Sequence, residues 1–209
     1  MKRIVLLAVL ALALPLAAFA GDVDFTNTGG TLAGSSAGLT LTGSELTVVD
    51  GFNGGGIVTG NLGTLTFTTG ALTSGSLVTG ATFAAGGTFT ITGNGNNGIP
   101  NGVIFNGTFS SPVIWAVSSQ PCGPNGSVCY TLSGSISGTY WNGTTYSTVN
   151  GATIQITLNA GKNGFQGQVP LGSGDTVIGV GAVPEPGTLG LLGTGLVGLA
   201  GVIRKKLKA

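Results

Sequence analysis

The sequence predicts an all-β domain that folds as a single antiparallel β-sandwich or barrel-like domain. Apolar residues alternate with Thr and Ser in runs such as 39–42, 65–68, 88–92 and 152–158. A period of two with many β-branched residues is typical of strands that bury one face. Nine Asn-Gly pairs lie among these runs, and Asn-Gly favours the tight turns of β-hairpins. No helical periodicity occurs between residues 21 and 183.

A weak internal repeat leaves a β-solenoid as the alternative fold. Thr40, Thr64 and Thr88 are spaced 24 residues apart, and each opens a Thr-x-Thr run. A solenoid would show a fixed period of this length. Because the pattern fades after Gly93, we favour successive hairpins of similar length.

The composition excludes several classes of function. Only 6% of the residues are charged, and histidine is absent. The commonest general base and metal ligand are therefore missing, and two cysteines alone cannot complete a four-ligand zinc site. A formal net charge of +1 gives no sign of the basic surface that nucleic acid requires. We expect no enzyme activity, no catalytic residues, no cofactor, no metal and no nucleic-acid partner.

Residues 1–20 have the pattern of a secretory signal peptide. Lys2 and Arg3 precede an apolar run over 4–14, and Ala18-Phe19-Ala20 forms an A-x-A cleavage site. The secretory translocon is therefore an expected partner, and the mature chain should begin at Gly21. The apolar run is too short for a helix that spans a bilayer, which needs about 20 residues.

Residues 184–209 form a second targeting segment. Pro184-Glu185-Pro186 precedes an apolar stretch over 187–203, which predicts a membrane helix about 25 Å long. A basic cluster ends the chain and should keep that end in the cytoplasm. Its members are Arg204, Lys205, Lys206 and Lys208.

This tail resembles the PEP-CTERM sorting signal of exported bacterial proteins, also called the ice-binding protein C-terminal domain. The resemblance implies that a membrane-bound exosortase removes the tail at or near Pro184-Glu185-Pro186. It also implies that the protein is anchored in the membrane before processing and lies at the cell surface or outside the cell afterwards. The alternative is a plain C-terminal membrane anchor.

The Gly/Thr-rich domain over 21–183 is then the working part of the protein. It carries no charged side chain from Gly51 to Gly161. We expect a structural protein of the cell surface or extracellular matrix, associated with biofilm or exopolysaccharide. The alternative is a carbohydrate-binding module or, with less support, an ice-binding one. Threonine ladders of the Thr-x-Thr runs favour the latter, although alternating threonine is also ordinary for a wet sheet face.

The carbohydrate alternative depends on aromatic residues beside an Asn-Gly pair. A two-residue turn at Asn142-Gly143 predicts that Trp141 faces Thr144. Trp141 and Tyr146 should then be diagonal neighbours on one face, with Tyr140 on the other. At least one aromatic ring would be exposed and able to stack on a sugar. Tyr140, Trp141 and Tyr146 are the candidate ligand aromatics.

Two further groups of side chains have the chemistry of a disulfide and of a cation site. Cys122 and Cys129 flank a Pro-Asn-Gly turn, and export to an oxidising compartment predicts a disulfide between them. The oxygen ligands Asp22, Asp24, Asp50 and Asn53 match no EF-hand spacing. We attribute them to surface solubility.

Overall fold

The computed structural model describes residues 22–118 and 126–179. The predicted signal peptide, membrane helix and sorting motif lie outside these residues. Thirteen strands and one short 3-10 helix (Phe52–Gly54) form the described fold. The strands are β1 (Asp22–Thr28), β2 (Thr31–Ser35), β3 (Gly38–Asp50), β4 (Val58–Thr68), β5 (Leu72–Ser76), β6 (Gly80–Phe83), β7 (Gly86–Asn94), β8 (Asn101–Phe109), β9 (Val113–Val117), β10 (Cys129–Trp141), β11 (Tyr146–Asn159), β12 (Gln168–Pro170) and β13 (Ser173–Gly179). Within the described ranges, no helix has both the length and the apolar character needed to cross a membrane.

Eight of the strands close into an antiparallel barrel. Their order around the barrel is β11, β13, β1, β3, β4, β7, β8 and β10, and β10 pairs with β11 to complete the circle. The prediction of an all-β fold is confirmed. Of the sandwich and the barrel, the two architectures that the sequence left open, the structure shows the barrel.

The solenoid alternative is wrong because the repeated threonines lie on antiparallel neighbours. Thr40, Thr64 and Thr88 belong to β3, β4 and β7, which are consecutive in the barrel. Thr68 pairs with Thr40 on one side and with Thr88 on the other. The spacing therefore reflects neighbouring strands of one barrel. Because β5 and β6 lie between β4 and β7 in the sequence, these strands are not the successive hairpins that we expected.

The last described strand completes the barrel between the first strand and β11. All seven residues of β1 pair with β13, from Asp22 with Gly179 to Thr28 with Ser173. On its other side β13 pairs with residues 153–157 of β11. The start of β1 and the end of β13 consequently lie at the same rim of the barrel.

Two long strands extend the sheet beyond the opposite rim. Residues 136–140 of β10 pair with β8, whereas residues 130–133 pair with β9, which continues to β6 and β5. In β3, residues 45–50 pair with β1, whereas residues 38–42 pair with β2, which continues to β12. Each long strand therefore changes its partner part-way along its length, and the sheet splays open at these points.

Aromatic side chains fill the core in two groups, one inside the barrel and one at the extended end. In the first, the Phe89 ring lies 5.9–6.2 Å from the rings of Phe67, Phe105 and Phe109. The second contains Trp115 stacked on Tyr130 at 4.7 Å, with Phe165 edge-on to Trp115 at 5.3 Å. Both groups are almost completely buried, so the core supplies most of the apolar surface that folding removes from water.

Polar atoms of the second group fix two loops at the extended end. The Tyr130 hydroxyl donates to the Val78 carbonyl at 3.0 Å and accepts from the Phe165 amide at 3.1 Å. The Trp115 Nε1–H donates to the Leu77 carbonyl at 3.0 Å. These bonds satisfy buried donors and acceptors, and they fasten the β5–β6 turn to the core.

Glycine allows two barrel strands to approach closely. Gly107 of β8 lies opposite Gly138 of β10. A Cβ at Gly138 would collide with the backbone of Asn106 and Gly107, and a Cβ at Gly107 would collide with the backbone at Ser137. This pair shows one reason for the glycine content of the domain, since the β8–β10 ladder leaves no room for a side chain there.

Phe89→Ala should lower the free energy of unfolding by about 3–5 kcal/mol, because it removes the ring that joins three aromatic neighbours. Urea unfolding of the processed domain, followed by tryptophan fluorescence, measures this change. Thr90→Ala, one residue along on the outer face, is the matched control and should stay within about 0.5 kcal/mol of the wild type. Equal losses in the two variants would contradict the assignment of Phe89 to the core.

Candidate functional site

An aromatic pair lies on the outer face where β10 turns into β11. Trp141 and Tyr146 are direct cross-strand partners, with ring centroids 4.5 Å apart and planes inclined by 39°. The Tyr146 side chain is 69% exposed. Aromatic side chains this accessible offer a stacking surface to a ligand with an apolar face.

The turn that carries this pair differs from the predicted one. Trp141 pairs with Tyr146 and Tyr140 with Ser147, so the register is displaced by two residues from the expected pairing of Trp141 with Thr144. Asn142 Oδ1 accepts hydrogen bonds from the amides of Thr144 at 2.9 Å and Thr145 at 2.8 Å. This Asx arrangement stabilises a longer turn over residues 142–145. A shift of two keeps each side chain on its predicted face, and it places the two rings opposite each other instead of diagonally.

Tyr140 is not a ligand aromatic, and its inclusion among the candidates was wrong. Its side chain points into the barrel, is 2% exposed and packs edge-on against Phe52 at 6.1 Å. Strand alternation gives the reason, because Tyr140 is adjacent to the outward-facing Trp141. Burial raises the pKa of the Tyr140 hydroxyl well above its usual range, and this hydroxyl has no hydrogen-bond partner among the described residues.

A groove of about 530 Å³ crosses the outer faces of β9, β10, β11 and β13. It forms beside the point where β10 exchanges β8 for β9 as its partner. Its lining includes Ile114, Ser133, Ser135, Thr153, Gln155 and Asp175. Sequence reasoning missed the groove because pairings between distant segments create it. The alternation over 152–158 predicted a strand with Thr153 and Gln155 on one face, and it gave no sign of the neighbouring strands that complete the groove.

Three carboxylates lie close together near one side of this groove. Asp24 pairs with Asp50 across β1 and β3, and Asp175 lies on β13 two residues from Val177, the partner of Asp24. Burial raises the pKa of Asp24, and the negative charges of Asp175 and Asp50 raise it further, whereas a hydrogen bond from the Phe25 backbone opposes the shift. In residues 22–118 and 126–179, no group of three or more His, Cys, Asp or Glu residues is arranged to hold a metal ion.

Threonines cover the outer face of β4 and β7. Thr64, Thr66 and Thr68 pair with Thr92, Thr90 and Thr88, respectively. The hydroxyls of Thr68 and Thr88 lie 3.0 Å apart and share a hydrogen bond. The predicted threonine ladder therefore exists across two strands, and its hydroxyls partly satisfy one another.

Several predicted residues fall outside the described part of the chain. Cys129 is buried at the start of β10, but Cys122 lies in the segment that is not described, so their disulfide stays a prediction. The sorting and membrane-orienting residues also lie outside. These are Pro184, Glu185, Pro186, Arg204, Lys205, Lys206 and Lys208.

Asp24→Asn should remove an unfavourable ionisation from the folded protein. When folding raises the pKa of a carboxyl group, the folded protein loses stability as the pH rises from the ordinary pKa, about 3.9, through the raised pKa. We therefore expect the variant to be more stable than the wild type at neutral pH, with the difference vanishing towards about pH 4 and below. Urea unfolding over this pH range measures the difference. Glu45→Gln controls for the loss of one negative charge, and a difference that did not depend on pH would contradict the stated origin.

Comparison with known proteins identifies the tail alone. Residues 182–205 match the model of the PEP-CTERM protein-sorting motif. No curated protein matches the chain, and no solved structure matches it. The predicted resemblance of the C-terminal segment is therefore confirmed. The chain carries the sorting motif of exported proteins that exosortases process.

Proposed function

We propose that this chain is a non-catalytic structural protein of the bacterial cell surface or extracellular matrix, associated with biofilm or exopolysaccharide. The match of residues 182–205 to the sorting motif supports export and exosortase processing. In this proposal the secretory translocon delivers the chain, and the tail holds it in the membrane until the exosortase acts. The β-barrel is then the part that remains at the cell surface or outside.

The charge distribution supports a role among hydrated, uncharged polymers. Lys162 is the single cation among the described residues, against five carboxylates. In the uncharged stretch from Gly51 to Gly161, the polar side chains of the outer faces are Thr, Ser, Asn and Gln, and a few aliphatic side chains such as Ile57 and Ile114 are also exposed. Such a surface stays hydrated through hydroxyls and amides, and it provides no basic patch for nucleic acid or other polyanions.

The non-catalytic part of the proposal follows from the available side chains. Without histidine, no Ser or Thr has the usual base that would activate it as a nucleophile. The carboxylates are the remaining candidates for acid–base chemistry, and the cluster of Asp24, Asp50 and Asp175 lies on the outer face of the barrel. Release of reducing sugar from a polysaccharide, abolished by Asp24→Asn, would contradict a non-catalytic role.

Processing is tested by the intact mass of the cell-surface form. We expect a chain that begins near Gly21 and lacks residues 204–209, because signal peptidase and exosortase remove the two ends. Glu185→Ala should leave the unprocessed tail on the protein, since Glu185 is the charged member of the recognised triad. Glu45→Ala, which changes a carboxylate of the barrel, is the matched control. A wild-type protein that keeps its basic end would reduce the tail to a plain membrane anchor.

A second candidate function is carbohydrate binding, favoured by the pairing of the half-buried Trp141 with the exposed Tyr146. Sugar rings present C–H groups on one face and hydroxyls at the edge, which suits an aromatic platform beside polar side chains. Asn142, Thr144 and Thr145 supply such side chains next to the pair. This function is compatible with the first, since binding to polysaccharide would retain the protein in a matrix.

Tyr146→Ala and Trp141→Ala should each weaken retention by polysaccharide in affinity electrophoresis, because each removes half of the stacking surface. Tyr140→Phe is the matched control. It alters a buried hydroxyl without a partner, so both folding and retention should be preserved. Retention that is unchanged in all three variants would contradict a role for the pair.

A further inference from the structure

We propose that the carbohydrate site is an extended surface for a linear, neutral polysaccharide. It runs from the Trp141–Tyr146 pair along the outer face of the β10–β11 hairpin into the groove at β9 and β13. This inference rests on the carbohydrate-binding function proposed above and specifies its ligand. We call this surface the hairpin stripe. Besides the aromatic pair, it consists of Ser133, Ser135, Ser137 and Thr139 on β10 and Thr148, Thr153 and Gln155 on β11.

The register of the hairpin keeps these side chains on one face, and a β-bulge between Ile136 and Ser137 interrupts the ladder once. Ser133 pairs with Gln155, and Ser135 with Thr153; further along, Thr139 pairs with Thr148, and Trp141 with Tyr146. Alternate residues of β10 point inwards, including the buried Ile136 and Tyr140. The eight residue-to-residue steps from Ser133 to Trp141 span about 26 Å at about 3.3 Å per step. The stripe is therefore long enough for several sugar units of a linear chain.

The side chains of the stripe are available to a ligand. Among the described residues, those of Ser133, Ser135, Thr153 and Gln155 make no hydrogen bond to other protein groups, whereas many other Thr and Asn side chains of the domain do. Hydroxyl and amide groups both donate and accept hydrogen bonds. They can therefore match sugar hydroxyls without fixing one orientation of the chain.

The groove adds apolar contacts at one end of the stripe. Ile114 is 46% exposed in the groove, and Pro112 and Val177 also line it. Exposed aliphatic side chains can cover the C–H face of a sugar ring, while Ser133 and Gln155 at the same place bond to its hydroxyls. The two ends of the stripe thus combine apolar and polar contacts, and the middle supplies hydroxyls.

Charge selects against acidic polysaccharides. Asp175 lines the groove, and Asp24 and Asp50 lie beyond it, while the hairpin stripe itself carries no charged side chain. The closely spaced carboxylates would repel uronate or sulfate groups on an incoming chain. A neutral polymer meets no such repulsion, so we assign the ligand to that class.

Affinity electrophoresis of the processed protein in gels that contain dextran, pullulan, hydroxyethyl cellulose or alginate tests this assignment. At least one neutral polymer should retard the wild type, and alginate should not. Thr153→Ala combined with Gln155→Ala should weaken retention by about tenfold, the effect of losing two modest hydrogen bonds. Ile114→Ser is a second, independent change in the groove and should also weaken it. Thr66→Ala with Thr90→Ala, on the face of β4 and β7, is the matched control.

The outcomes distinguish failure of this inference from failure of the carbohydrate-binding function on which it rests. Weaker retention in both groove variants and in Tyr146→Ala supports the extended stripe. Loss in Tyr146→Ala with unchanged groove variants leaves a carbohydrate site at the aromatic pair and overturns the stripe. If none of the neutral polymers retards the wild type, both the extended stripe and the carbohydrate-binding function are contradicted. Stronger retardation by alginate overturns the assignment of the ligand to neutral polysaccharides.

Discussion

The pairing of β13 with both β1 and β11 is the constraint on which the rest of the structure depends. It joins the first described strand to the last, and without it both neighbours would have an unpaired edge. Inward-facing Val23, Phe25 and Ile178 are completely buried only in the closed barrel. An unpaired strand edge readily pairs with other chains. Closure therefore removes the unpaired edges that β1 and β11 would otherwise present.

Closure also links the fold to the route that we propose for the protein. Strands β1 and β13 lie far apart in the sequence, and contacts of this range are slow to form because a long loop must close first. Residues as late as Gly179 must be outside the translocon before the barrel can be completed. The sorting motif follows within a few residues. A membrane-held tail would keep each molecule separate while this slow step takes place.

The outer surface of the domain is hydrated mainly by uncharged polar side chains. Strand alternation places Thr, Ser, Asn and Gln outside and the phenylalanines inside, so hydration does not depend on charge. The same alternation creates the hairpin stripe on β10 and β11. The splayed point where β10 exchanges partners turns one end of that stripe into a groove. Site and fold thus have a common origin in the long strand β10.

Local patterns predicted the strands, and distant pairings decided the site. The runs at 88–92 and 152–158 lie within β7 and β11, because a period of two reports burial of one face. The sorting tail was recognisable because its motif is contiguous. The Asn142 side chain stabilises a longer turn than the predicted one, so the register of Trp141 was predicted wrongly. Tyr140 was misassigned because alternation showed two faces without showing which one is buried.

The choice between barrel and sandwich, and the groove beside it, needed the pairing of β13 with β1 and of β10 with β9. These pairings join segments that are distant in the sequence, and no local signal encodes them. This difference is general for β proteins. Local alternation determines which face of a strand each side chain occupies, whereas the pairing partner of a strand depends on the whole chain.

Amide hydrogen exchange of the exported, processed protein, read by mass spectrometry of peptides, tests barrel closure most directly. The account predicts that peptides from β1 and β13 are protected as strongly as peptides from β10 and β11, because all four belong to one closed ladder. Rapid exchange of β1 and β13 beside a protected β10–β11 hairpin would show an open sheet and contradict the account.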